Sequence, residues 1–204
     1  MKKLLVAFAL VPTCLFAQDL KVKNTRGGLF SLGTRTTVSA FNGHDNESPG
    51  FGIGGQFRLQ FADRVNSDWF FDYITSDIGD LASRTDYHIG WSVLYYLIEE
   101  PSTRLRPYIL AGHCFDYTEF QDNSNFTVRK TRLSSAVQAG AGVHYNLTSR
   151  LDLSFVTQYM LHLGNEIHAD VHGDHLEFHE YEGTSFEGHL LFHLSINYKI
   201  TDLW

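Results

Sequence analysis

The densest set of chemically capable side chains lies between His162 and Glu182, where His162, His168, His172, His175 and His179 crowd together with Glu166, Asp170, Asp174, Glu177, Glu180 and Glu182. No other stretch of the chain is so biased. Imidazole suits zinc, copper and nickel, and carboxylates complete such sites. The expected ligands are His168, His172, His175 and His179, helped by Asp170 or Asp174, with zinc the expected ion. Spacings of four, three and four would gather the four histidines on one side of a helix, although Gly173 weakens that helix. If the segment is instead extended, His168 and His172 share one face of their strand while His175 and His179 share the other. The plainer alternative is a solvated acidic loop whose histidines titrate near neutral pH. No other cofactor is expected.

The remaining charged side chains have a structural explanation. Arg35, Arg58, Asp72, Asp86 and Glu187 fall on polar faces of alternating segments, where they are expected to pair with one another, because buried charges need partners. The Gly52 to Gly55 run is no phosphate cradle, since no helix follows it.

The elements that position these groups are read from the start of the chain. Met1-Lys2-Lys3 is a basic start, Leu4 to Val11 is apolar, and Leu15-Phe16-Ala17 offers a small residue for cleavage before Gln18. Residues 1–17 are therefore expected to be a secretory signal and residues 18–204 a single domain. Losing Lys2 and Lys3 moves the net charge from −7 to −9, and a chain of that balance is a poor partner for nucleic acid. Cys14 would leave with the signal, so Cys114 has no intrachain partner and the fold cannot depend on a disulfide.

No later stretch is long and apolar enough for a transmembrane helix. The apolar residues alternate instead. Leu190, Phe192, Leu194, Ile196, Tyr198 and Ile200 interleave with His193, Ser195, Asn197 and Lys199, which makes one face greasy and the other polar. The pattern recurs from Phe51 to Phe61, Tyr87 to Leu97, Leu133 to Leu147 and Leu151 to Leu161. It is weaker from Phe30 to Phe41 and from Trp69 to Tyr73, and from Arg106 to Tyr117 the two faces look alike, so that strand has no assigned sides. Eight strands result. The gaps between them alternate: Asn42–Gly50, Asp77–Thr85, Thr118–Lys130 and His162–Thr184 are long, while Asp63–Ser67, Ile98–Arg104 and Thr148–Arg150 are short. Short periplasmic turns and long outer loops are what a bacterial outer-membrane barrel has. The fold class expected is all-β, an eight-stranded antiparallel up-and-down transmembrane β-barrel.

A lipocalin-like soluble barrel is the rival, and the decision rests on which face looks inward. Gly52, Gly54, Arg58, Asp72, Asp86, Gly90, Arg132, Gly140, Gly142, Glu187 and Lys199 share the polar face. That reads as a hydrogen-bonded interior, whereas the opposite choice would leave Trp69, Trp91, Tyr95, Phe192 and Tyr198 on water. The same narrow interior argues against a pore.

The final strand ends in Ile196, Tyr198 and Trp204. With the strand pattern, this resembles the OmpA/OmpX-type family of small outer-membrane barrels, in which a terminal aromatic is read by the barrel-assembly machinery. The resemblance implies location in the cell outer membrane of a Gram-negative bacterium, lipid as a partner, a monomer, and a structural or adhesive role through the outer loops toward an extracellular ligand or host surface. A metal-binding surface protein is the alternative. His162-Leu163-Gly164-Asn165 also resembles the His-x-Ser-Asn motif of outer-membrane lipid A deacylases, but glycine replaces the nucleophile. A histidine base then has no hydroxyl to activate, so no enzyme is expected.

Overall fold

The computed structural model describes residues 27–41, 48–79, 81–100, 103–172, 175–185 and 188–204, of which 165–172 and 175–185 are described by their backbone alone. The expected signal segment, Asp174 and Glu187 lie outside the described residues. The strands are β1 (Leu29–Phe41), β2 (Gly50–Gln60), β3 (Val65–Ile78), β4 (Ala82–Tyr96), β5 (Leu105–Asp122), β6 (Arg129–Asn146), β7 (Leu151–His172), β8 (His175–Ser185) and β9 (Gly188–Asp202). Every pairing is antiparallel. Each of β1 to β7 pairs with the next, β7 also pairs with β9, and β9 pairs with β1, which closes the ring. The barrel therefore has eight strands, with β8 standing outside the ring as the return arm of a hairpin on β7.

The sides fall as the alternation requires. Trp69, Trp91, Leu194, Ile196 and Ile200 face outward, whereas Arg58, Asp72, Asp86, Arg132 and Lys199 are buried in the lumen. Two outward aromatic rows follow the strand register: Phe57, Trp69 and Trp91 lie side by side on β2, β3 and β4, and Tyr73, Tyr87 and Tyr117 on β3, β4 and β5. Ring centroids within the rows are 5.2 to 6.4 Å apart. From Tyr87 to Tyr95 on β4 is on the order of 25 Å of strand, comparable with the apolar band that such barrels present to lipid.

The strand whose sides the sequence left open is now assigned. On β5, Arg106, Tyr108, Leu110, Cys114, Asp116, Thr118 and Phe120 point inward, while Ile109, Phe115 and Tyr117 point out. Its two faces look alike because the lumen is not uniformly polar. Leu94, Tyr96, Tyr108 and Leu110 pack together toward the end with the short turns, and Phe70, Ile74, Cys114, Ala136, Met160 and Leu191 pack further out. Glycine makes the room: a Cβ on Gly142 would sit 2.6 Å from the Tyr108 ring. Two luminal cavities hold about 10 and 20 Å³, near the least that one water needs.

Three of the expected outer loops turn out to be mostly paired strand. The β3–β4 ladder runs to Ile78 opposite Ala82, the β5–β6 ladder to Gln121 opposite Arg129, and the β7–β8 ladder to His172 opposite His175. Beyond the lipid both faces of a ribbon meet water, so the greasy alternation stops while backbone pairing continues.

Candidate functional site

The luminal side chains form layers. Nearest the short turns, Arg58 Nη2 donates to Asp152 Oδ1 at 2.6 Å, Arg58 Nη1 contacts the His144 ring, and the Tyr96 hydroxyl lies 3.0 Å from His144 Nδ1. In the next layer Arg35 makes a two-pronged pair with Asp72, its Nε donating to Oδ1 at 2.7 Å, and Gln56 donates to Asn197 at 2.6 Å. Of the inward charges expected to pair with one another, Arg35 and Asp72 do so, whereas Arg58 pairs with Asp152 and Asp86 with Arg84.

The layer nearest the long hairpins is built around Asp116 on β5. His162 Nδ1 lies 3.1 Å from its Oδ2, His88 Nε2 lies 3.3 Å from its Oδ1, and Arg132 Nη2 lies 3.5 Å from Oδ2. The Thr118 hydroxyl donates to Oδ2 at 3.0 Å. His189 on β9 faces His162 with ring centroids 4.5 Å apart, and its Nε2 is 3.2 Å from Arg84 Nη2. Arg84 in turn holds Asp86, Nε to Oδ2 at 3.0 Å. Every residue named in this layer is buried.

His162 does not complete a hydrolytic triad here. Ser134 Oγ and Asp116 Oδ2 both lie 3.1 Å from the same ring nitrogen, Nδ1. A triad needs the nucleophile on one nitrogen and the orienting carboxylate on the other. Ser154, another hydroxyl near the deacylase-like motif in sequence, faces the lumen and accepts from Asn197 Nδ2 at 3.4 Å.

The expected metal ligands fall in the β7–β8 hairpin. His168, Asp170 and His172 are on β7, and His175 and His179 are on β8, paired as His168 with His179, Asp170 with Glu177, and His172 with His175. The helical arrangement is thereby corrected to strand. So is the expected division of the histidines between two faces, because directly opposed residues of an antiparallel pair lie on one side of the ribbon. The four histidine positions share one face with Asp170, Glu177 and Glu166. Ile167, Ala169, Val171, Leu176, Phe178 and Glu180 occupy positions on the other.

Among known proteins, the family profile described as the outer membrane protein beta-barrel domain matches residues 5–190. The chain belongs to that family. The barrel is accordingly an outer-membrane protein of a Gram-negative bacterium. Its fold is similar to Neisserial surface protein A, with a TM-score of 0.60, 13% identity, and coverage of 84% of this chain and 97% of that one. It is also similar to OprG from Pseudomonas aeruginosa, at 0.59 and 15%, covering 86% and 97%. Ail, the attachment invasion locus protein of Yersinia pestis, matches at 0.51 and 12%, covering 86% and 99%. At these identities the likeness concerns the fold alone. No curated protein matches the sequence.

Sequence reasoning missed the Asp116 layer. His88 and His189 each stand on the polar side of an alternating strand, which was the available signal, whereas Asp116 is on β5, whose two faces look alike in the sequence. Their meeting depends on the register of β4, β5, β7 and β9, which no local pattern carries.

Proposed function

We propose that this barrel works as a surface-binding protein, with its outer hairpins as the contact element and its transmembrane wall as the anchor. The observation that carries the reading is the length of β7, which runs on from Gly164 to His172 beyond its last pairings in the wall, on the order of 25 Å of extended chain. A ribbon of that length adds nothing to the closed wall, and the filled lumen offers no passage for a solute. Between Leu151 and Ser185 the chain carries Asp and Glu but no Lys or Arg, so the favoured partner is a cationic protein surface. The attachment role printed in the name of Ail is consistent with this use of the fold.

The test compares bacteria displaying the intact barrel with bacteria displaying one in which residues 166–181 are replaced by Asn-Gly. Retention is measured on immobilised lysozyme, a basic protein, and on immobilised heparin. Retention on lysozyme that weakens with salt and disappears with the shortened hairpin is expected. Equal retention of both strains overturns the reading.

A second reading is favoured by the hairpin register. With His168 opposite His179 and His172 opposite His175, the register sets two pairs of histidine positions and Asp170 on one ribbon face, and these are the residue types that suit a divalent metal such as zinc. Calorimetric titration of zinc into the solubilised barrel should give more heat than titration into a barrel in which all four histidines are alanine. Equal heats from the two proteins remove this reading and leave the first untouched.

A further inference from the structure

His88, His162 and His189 come from three different strands, β4, β7 and β9, yet one ring nitrogen of each lies within 4.8 Å of the other two. His88 and His189 are 0% exposed and His162 is 2% exposed. A buried imidazole nitrogen without a partner is costly, so three converging rings call for a common ligand or a shared network. Asp116 stands behind two of them, at 3.1 Å from His162 Nδ1 and 3.3 Å from His88 Nε2. The carboxylate takes the N–H of His162 and stands beside His88 Nε2 at ion-pair distance without a hydrogen bond to it, which leaves His162 Nε2 and both nitrogens of His88 without a hydrogen-bond partner. On His189 the Nε2 atom accepts from the Arg84 guanidinium, which puts the ring's proton on Nδ1, so this ring joins a metal only when Arg84 gives up Nε2.

We propose that His88, His162 and His189 form a luminal site for a divalent transition metal of the zinc type, with Asp116 positioning two of the rings from behind. Carboxylate–imidazole–metal is the usual arrangement around histidine ligands, because the second nitrogen's hydrogen bond fixes the tautomer and the ring plane. In a tetrahedral zinc site the nitrogens stand roughly 3.4 Å apart, so the rings draw together by about an ångström on binding. Asp86 and Asp116 both lie within reach of His88 and supply negative charge. Arg84 and Arg132 offset part of it, which predicts modest affinity. This site is distinct from the hairpin: it is buried inside the wall and ties β4, β7 and β9 together at the outer rim. It also stands independently of the surface-binding reading.

The experiment uses a full-length barrel in which His168, His172, His175 and His179 are alanine, folded in detergent and loaded with Cu²⁺ both during and after refolding. Expected are one bound ion per barrel and electron paramagnetic resonance showing two or more imidazole nitrogens on it. His162→Gln and His88→Gln, checked as folded by their faster migration on unheated gels, should each bind at least about tenfold more weakly. No uptake, one nitrogen or none on the bound ion, or unchanged affinity in the glutamine variants overturns the proposal. If a variant does not fold, the nitrogen count on the unsubstituted lumen decides.

Discussion

Arg58 and Asp152 meet at 2.6 Å inside the barrel although their strands, β2 and β7, are not neighbours in the sheet. The pair crosses the lumen, and both side chains are almost fully buried. Removing one partner strands the other charge in a low-dielectric interior. Asp152→Ala should therefore destabilise the barrel by about 3–5 kcal/mol, with Arg58→Ala similar. The double replacement by Met and Leu should cost far less than the sum. Urea unfolding of the detergent-folded proteins, followed by gel mobility, measures all three, and additive losses would mean that the pair is not coupled.

Gly142 leaves the space that the Tyr108 ring fills, since a Cβ there would lie 2.6 Å from the ring and 2.8 Å from the Phe155 carbonyl oxygen. Gly142→Ala should cost about 1–3 kcal/mol through overpacking. Adding Tyr108→Leu should recover part of that loss, though not all, because the carbonyl contact stays. Refolding yield into detergent micelles reports both effects. A Gly142→Ala barrel as stable as the parent would contradict the packing described.

Leu194 and Ser195 are adjacent on β9 but face lipid and lumen respectively. An arginine at Leu194 should cost about 2–4 kcal/mol in a bilayer, the penalty for a charge on the lipid face near the midplane. Little penalty is expected in a charged micelle thin enough to let the side chain reach water. Folding free energies measured in vesicles and in micelles separate the two environments. A Leu194→Arg penalty equal in both would argue that this face does not meet lipid.

Asp122, at the tip of the β5–β6 hairpin, gives a pH dependence of known sign. Its Oδ1 accepts from the Ser124 hydroxyl and amide, both at 2.7 Å, and from the Asn125 amide at 3.1 Å. These donors, the Ser124 hydroxyl first, hold its carboxyl below the usual carboxylate range. A depressed carboxylate stabilises the turn fully above its unfolded pKa, and the contribution fades as pH falls through the folded one. The protection factor of the Ser124 amide, the slowing of its exchange relative to the unfolded chain at the same pH, should hence fall once pH drops below the ordinary aspartate range. Asp122→Asn should abolish the pH step, and a step that persists in that variant would assign it to another group.

The barrel was legible where lipid and lumen impose opposite demands on alternate residues, as on β9 from Leu190 to Ile200. It was not legible on β5, because Tyr108, Leu110 and Cys114 fill the lumen with apolar volume and blur the contrast with Ile109 and Phe115. The β7–β8 hairpin carried its own alternation in Ile167, Ala169, Val171, Leu176 and Phe178, but its many acids and histidines made it read as loop. Register was the deeper gap. The sequence contains His88, Asp116, His162 and His189 in plain view, and only the stagger between strands brings them to one depth.

Trp69 and Trp91 pack against each other on the outer wall, centroids 6.4 Å apart, and the chain has three tryptophans in all. Two indoles this near couple their electronic transitions, so native β3–β4 pairing should write its own signal into the near-ultraviolet circular dichroism. Both also face lipid, where bromine-labelled acyl chains quench fluorescence by depth. The wall is thus its own optical gauge: zippering of two strands and their descent into the bilayer can be timed separately, in one sample, without attaching a dye.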